Sequence, residues 1–435
     1  MKVTGRRGEA WRESVGGVMW VLPVTAMALA LLAGAGLSQV DVPESSRYDW
    51  IVFQGTSDDA RALLIGISAT IITVIALILG LTVVALQLSS TQYSPRIIRN
   101  FLRDRPNQIV LSVFVATFTY SAAGLYTVGV SEGGRTDAFP RAAVSGAIGL
   151  LFLSLIALVY EVHHISHSMQ IDEIMRRISR NTATIINSEL PVGQIDNVAP
   201  AVPPWAATIT ARHSGYIQTI HPDAAGSLGH TATHIQFLAA VGTHVVFGSP
   251  LARVWRDADR EYSIGTSAGV VSGCVLIGHE RTLQQDVAFG IRQLVDIAAK
   301  ALSPAINDPY TAVQVIDQLA TVLASLATRS LGPVVARLGT DGYVTVPARD
   351  FGEYLDLACG QIRRYGAGEP AVAVALVRAL TAVAHCLDGE ATGRRTAIDR
   401  QLTLIVEDAQ RRTAQPDDLT LVEREAAHLR SLLFD

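Results

Sequence analysis

Residues 62–88 read Ala62-Leu-Leu-Ile-Gly66-Ile-Ser-Ala69-Thr-Ile-Ile-Thr73-Val-Ile-Ala76-Leu-Ile-Leu-Gly80-Leu-Thr-Val83-Val-Ala-Leu-Gln87-Leu88. The run carries no charge and exceeds the roughly 20 apolar residues a helix needs to cross a bilayer. Its small residues are ordered. Ala62, Gly66, Ala69, Thr73, Ala76, Gly80, Val83 and Gln87 recur at spacings of four and three, one stripe of a helix. The opposite face is leucine and isoleucine. In lipid, where tails are as apolar as leucine, helices associate through close packing, and small residues permit it. The stripe either packs inside one subunit or lines a subunit interface or pore. Gly66, Thr73, Gly80 and Gln87 mark it as a candidate.

Three further spans follow the same logic: Val15 to Val40, about Gln108 to Val130, and about Ala142 to Tyr160. A cleaved signal peptide is a poor reading of the first, because its apolar run is too long and three spans follow. Span three adds hydroxyls at Ser112, Thr117, Thr119, Ser121 and Thr127.

Arginine placement orients the spans. Lys2, Arg6, Arg7 and Arg12 precede span one, Arg96, Arg99, Arg103 and Arg105 separate spans two and three, and Arg176, Arg177 and Arg180 follow span four. The loop after span one is acidic, with Asp41, Glu44, Asp49, Asp58 and Asp59. The positive-inside rule then expects a multi-pass membrane protein with both termini cytoplasmic. A cysteine placed at Ser131 is expected to react with an impermeant thiol reagent added outside, and one at Arg180 is not. The opposite pattern reverses the orientation.

Two polar features flank the spans. Ser94 and Pro95 suit a helix start. Beyond them Ile97, Ile98, Phe101 and Leu102 share one face, and Arg96, Arg99 and Arg103 another. This fits a short surface helix on anionic lipid, or an arginine ring at a pore mouth. At the end of span four, Glu161, His163, His164 and His167 have i,i+3 and i,i+4 spacings that could hold a metal or sense protons. The bland reading is a polar cap on the span.

Composition narrows the chemistry. The chain has 435 residues, 49% hydrophobic and 17% charged, with net charge -4, so nucleic acid is not an expected partner. Its only lysines are Lys2 and Lys300, neither in a Walker A setting. Cys274, Cys359 and Cys386 make no C-x-x-C pair.

Beyond the spans, Ile171 to Leu190 continues helical and Pro191 to Pro204 reads as a linker. Thr208 to Ile220 then alternates around Ser214-Gly-Tyr-Ile, and Gly242-Thr-His-Val-Val-Phe-Gly-Ser-Pro-Leu251 follows. This pairing resembles the biotinyl/lipoyl-type barrel-sandwich fold, but the region has no lysine to modify. Gly265-Thr-Ser267-Ala-Gly269 matches the hydrolase elbow pattern G-x-S-x-G. A strand-like run, Val270 to Ile277, follows where the elbow needs a helix. His213, His221, His230, His234 and His244 are dense but lack an H-E-x-x-H arrangement. Arg281 onward is helical. Asp308 and Pro309 read as the cap and first residue of a new helix, and Gly339 to Val346 as a short hairpin.

Several runs are distinctive: Gln87-Leu-Ser-Ser-Thr-Gln-Tyr-Ser-Pro-Arg96, His163-His164, Ser214-Gly-Tyr-Ile-Gln218, Phe289-Gly-Ile-Arg-Gln-Leu-Val-Asp-Ile-Ala298 and Ala301-Leu-Ser-Pro-Ala-Ile-Asn-Asp-Pro309. They resemble a bacterial family of predicted membrane proteins, domain of unknown function 2254. The resemblance implies a four-span membrane protein and no particular activity.

The expected fold is an α-helical membrane domain of four transmembrane helices, then a mixed cytoplasmic domain with a small β barrel-like module and a C-terminal helical region. The expected divisions are 1–170, a stalk and linker at 171–206, the β module at 207–277 and helices at 278–435. The leading functional expectation is a non-enzymatic, homo-oligomeric channel or transporter-like protein with no cofactor. No acid sits mid-span, which favours a passive pore over proton coupling. A membrane-anchored sensor or scaffold is the alternative, and a membrane enzyme with a metal at the end of span four is the third.

Overall fold

A computed structural model describes residues 20–39, 52–92, 105–128, 139–168, 170–192, 201–231, 233–256, 265–339, 342–387 and 391–434. The chain divides into two compact units, Met1–Gln170 and Ile171–Asp435.

The first unit holds α1 (Val21–Leu37), α2 (Ser57–Gln92), α3 (Arg105–Thr127) and α4 (Arg141–Ser168). α3 packs against all three others. That central place gives several of its hydroxyls protein rather than lipid as neighbours. Ala60, Leu64, Ile67, Ile71 and Ile78 of α2 meet Val110, Phe114 and Tyr120 of α3 and Val144, Ala147 and Ala157 of α4 in one apolar core. The outer faces are equally apolar: Leu29, Leu32, Ile72, Leu77, Phe152, Ile156 and Val159 are exposed. A helix that is hydrophobic all round belongs in a membrane or a large core, and this bundle is too small to be the latter. Four apolar helices in the N-terminal part, as the sequence predicts, make this an integral membrane unit.

Side chains close one end of the bundle. Arg61 donates through Nη2 to Val128 O (3.1 Å), and Arg141 through Nε to Phe53 O (2.8 Å). The Phe53 N–H donates to Ser145 Oγ (2.8 Å). At 36 residues, α2 is about 54 Å long at 1.5 Å per residue. It therefore runs well past a hydrocarbon layer of roughly 30 Å.

The second unit opens with α5 (Ile171–Glu189), whose buried Met175, Ile178, Thr182, Ile185 and Ile186 form one stripe. Next come β1 (Ala207–Thr210), β2 (Gly215–Ile220), a 3-10 segment (Pro222–Thr231), β3 (Thr233–Phe237), β4 (His244–Val245), β5 (Pro250–Arg256), α6 (Gly265–Cys274) and β6 (Val275–Gly278). After α7 (Val287–Ala301) and α8 (Pro309–Ala327) the hairpin β7 (Val334–Leu338) and β8 (Gly342–Val346) intervenes. α9 (Phe351–Tyr365), α10 (Pro370–Ala384), α11 (Thr392–Arg412) and α12 (Pro416–Phe434) finish the unit.

α8 is also long and apolar enough to span a membrane by composition. Its place says otherwise. Half of it is buried, and it packs against α5, α7 and α10 as a core helix of the second unit.

The expected barrel does not form. The strands make two open sheets, ordered β1-β5-β3-β8-β7 and β4-β2-β6. The physical reason is the edge of β3. Instead of closing the 207–277 region on itself, β3 takes β8 as a parallel neighbour, with Ile235 opposite Val344. The two sheets share one core that includes Ile217, Ile235, Phe237, Leu251, Val275 and Val344. A second reading also changes: residues 265–274 form a helix, so of the strand-like run Val270 to Ile277 only residues 275–277 lie in a strand, β6.

Candidate functional site

The stripe of α2 faces out of the bundle. Ala62, Gly66, Ala69, Thr73, Ala76, Gly80, Val83 and Gln87 are all exposed. A Cβ built on Gly66 or Gly80 meets nothing within 4 Å. Thr73 donates its hydroxyl to Ala69 O of its own helix (2.9 Å), which lets a polar side chain sit on a membrane face. The residues holding α2 to its bundle, Leu64, Ile67, Ile71 and Ile78, lie on another face. Among the described residues nothing packs over the stripe within the subunit. Arg96, Arg99 and Arg103 lie outside the described residues.

Three of the hydroxyl residues of span three, Ser112, Thr117 and Ser121, are buried. Ser112 donates to Gln108 O (2.6 Å), and Thr117 Oγ1 lies 2.8 Å from both Val113 O and Ser154 Oγ of α4. Ser121 is fully buried, and Tyr120 donates to Ala143 O (2.9 Å). Back-bonding to the preceding turn satisfies hydroxyls in lipid, and bonds such as Thr117–Ser154 join two spans. Thr117 and Tyr120 thereby tie α3 to α4 within one subunit.

The polar cluster of α4 is split. Glu161 is only 2% exposed and shares a buried face with Ser154, Ala157 and Ile165. It sits inside the bundle and not in a surface cap. His163 is exposed, while His164 stacks on Tyr160 with ring centroids 5.8 Å apart. The His167 side chain is outside the described residues. Glu161 and His163, two positions apart, point about 200° away from each other, whereas Glu161 and His164 are i,i+3 neighbours. Among the described residues no group of three metal-binding side chains assembles.

In the second unit, His234 is buried between two rings, 5.2 Å from Trp255 and 5.7 Å from Tyr343. This is a packing position for an imidazole. His213 and His244 are exposed, and His244 meets the Tyr216 ring edge-on at 4.9 Å. The His230 side chain lies outside the described residues. Ser267 is buried in the first turn of α6. Asp308 caps α8 as expected, accepting from the Thr311 N–H (3.1 Å) with Pro309 in the first turn. The bonds from Thr311 hold its carboxyl below the usual range.

One centre escaped the sequence reading. Asp286 caps α7, accepting from the Phe289 N–H (2.9 Å), and receives Nε and Nη2 of Arg281 at 2.9 and 3.0 Å. Arg281 also covers the Phe289 ring at 5.2 Å. Gly242, at φ +84°, leaves the room: a Cβ there would overlap Asp286 Oδ2 and lie 2.8 Å from Arg281 Nη2. The one sequence signal was an acid three residues before Phe289 at a helix start. Burial pushes the Asp286 carboxyl up, against the pull of Arg281, and burial foremost lifts the nearby Tyr354 hydroxyl to about 12. The arrangement locks two loops to a helix start and is a structural centre.

Comparison with known proteins supplies the rest. A family model described as predicted membrane protein (DUF2254) matches residues 17–382. A Mycobacterium bovis protein and one from Mycobacterium tuberculosis H37Rv, both described as uncharacterized proteins, are each 42% identical to this chain, covering 97% of it and 82% of their own length. No solved structure matches.

Proposed function

We propose that this chain, which belongs to the DUF2254 family of predicted membrane proteins, acts as a channel-like homo-oligomer without catalytic activity, joined or lined along the stripe of α2. The observation that carries this reading is the outward direction of Gly66, Ala69, Thr73, Ala76 and Gly80. Each glycine costs about 1 kcal/mol of helix propensity in water. A helix face meeting only lipid tails gains nothing from that cost, whereas a second helix approaching closely does. The length of α2 beyond the hydrocarbon layer suits a vestibule, with Gln87 at its cytoplasmic side. On this reading the second unit is cytoplasmic and regulates the assembly.

Gly80→Leu is expected to shift the detergent-extracted protein from oligomer towards monomer in native mass spectrometry, and to reduce ion flux from proteoliposomes. Leu81→Ile, at an exposed position that is not an i±3 or i±4 neighbour of any stripe residue, leaves both unchanged. A monomeric wild type, or an oligomer indifferent to Gly66→Leu and Gly80→Leu alike, sinks the reading.

A further inference from the structure

A crevice of about 590 Å³ opens between α1 and α3, with Ala143 of α4 at its edge. Its volume falls in the roughly 300–1,000 Å³ range of ligand sites. It exists because Gly34 and Ala35 of α1 face Ala122 and Ala123 of α3, with Leu31 and Phe118 forming the longer walls. Tyr120 contributes its ring, and its hydroxyl is held by Ala143 O.

We propose that this crevice is a binding site for one acyl chain of a membrane phospholipid. Three arguments lead there. The helices that bound it present apolar side chains outward, Leu29 and Leu32 among them, so its mouth meets hydrocarbon. A water needs two to four polar partners to settle in such a space. The walls offer little beyond the Thr119 and Tyr126 hydroxyls and the already bonded Tyr120. An empty crevice forfeits dispersion contacts along its whole lining, and a flexible hydrocarbon chain restores them. The crevice lies towards the C-terminal end of α1 and the start of α4. On the positive-inside orientation that is the outer half of the bilayer, which makes the ligand an outer-leaflet lipid.

The test uses the full chain in vesicles of phosphatidylethanolamine and phosphatidylglycerol containing a phospholipid with a diazirine in its acyl chain. After irradiation, labelled peptides are mapped by mass spectrometry. Labelling is expected to concentrate on α1 and α3 around Ala35 and Ala123. Ala35→Phe and Ala123→Leu, which fill the space from different helices, should each lose most of that labelling. Labelling at Phe152, on the exposed face of α4, should persist in both and so reports an intact bundle. Labelling spread over all exposed faces and unchanged by either variant overturns the proposal. So does protein–protein cross-linking through the crevice, which would make a second copy its occupant.

Discussion

Arg281→Met is expected to destabilise the second unit by about 3–5 kcal/mol near neutral pH, the usual cost of removing one partner from a buried ion pair. Asp286 is 3% exposed, and its guanidinium partner is largely covered as well. Methionine preserves much of the stem that lies over Phe289 but leaves the carboxylate without its charge partner. The loss should depend on pH, and the sign follows from the raised carboxyl. A group whose folded pKa lies above its unfolded value contributes stability fully below the unfolded value and loses it as pH rises through the folded one. Burial already raises Asp286, and Arg281 is the main force opposing that rise. Without Arg281 the carboxyl climbs further, so the variant should recover part of its stability on acidification from pH 8 to pH 5. Asp286→Asn keeps a good helix cap without the charge and should cost less. Hydrogen exchange across α7 in the detergent-solubilised chain, measured at both pH values, reads the effect. A pH-independent loss, or one no larger than a surface substitution, would show that the pair contributes little.

Gly290→Leu should separate α5 from α7, with a loss at or beyond the upper end of the roughly 1–3 kcal/mol expected of overpacking. Even a Cβ at Gly290 would overlap Thr182 Oγ1 and lie 2.9 Å from Thr182 Cγ2. Thr182 cannot easily turn away. It is fully buried, and its hydroxyl is committed to Ile178 O at 2.7 Å. A smaller pair of changes tests the cause. Gly290→Ala should be clearly destabilising alone, yet partly rescued by Thr182→Ala, which removes Oγ1 and Cγ2. Such contacting residues typically show interaction energies of about 0.5–3 kcal/mol. Thermal unfolding of the four proteins supplies the cycle, and strict additivity would mean the two helices do not meet through this pair.

Much of the membrane unit was legible from hydropathy, because a spanning helix must satisfy its backbone internally and is long and apolar whatever its neighbours do. The cap at Asp308 was legible for a similar reason: an Asp followed by Pro acts on its own turn. The β region was not. Its glycines and alternation are local, but whether β3 closes a barrel or accepts β8 depends on a strand about a hundred residues later. The strand reading of Val270 to Ile277, the ground for rejecting an elbow at Ser267, failed because a short apolar run does not distinguish strand from helix. Glu161 was placed one residue past its span, since a window average stops at the first charge and cannot see that the helix continues with its carboxylate turned inward.

By itself, then, the sequence determined that this chain enters the membrane and that α2 carries a small-residue stripe, because both are properties of one helix and its solvent. Only the tertiary structure decided which way that stripe faces. Direction is set by the competing face, where Leu64, Ile67, Ile71 and Ile78 find partners on α3 and α4 and turn the glycines outward. The same holds for the crevice, the buried hydroxyls of α3 and the Arg281–Asp286 lock. Each is a relation between segments distant in the chain, and such relations exist only once the helices and strands have packed.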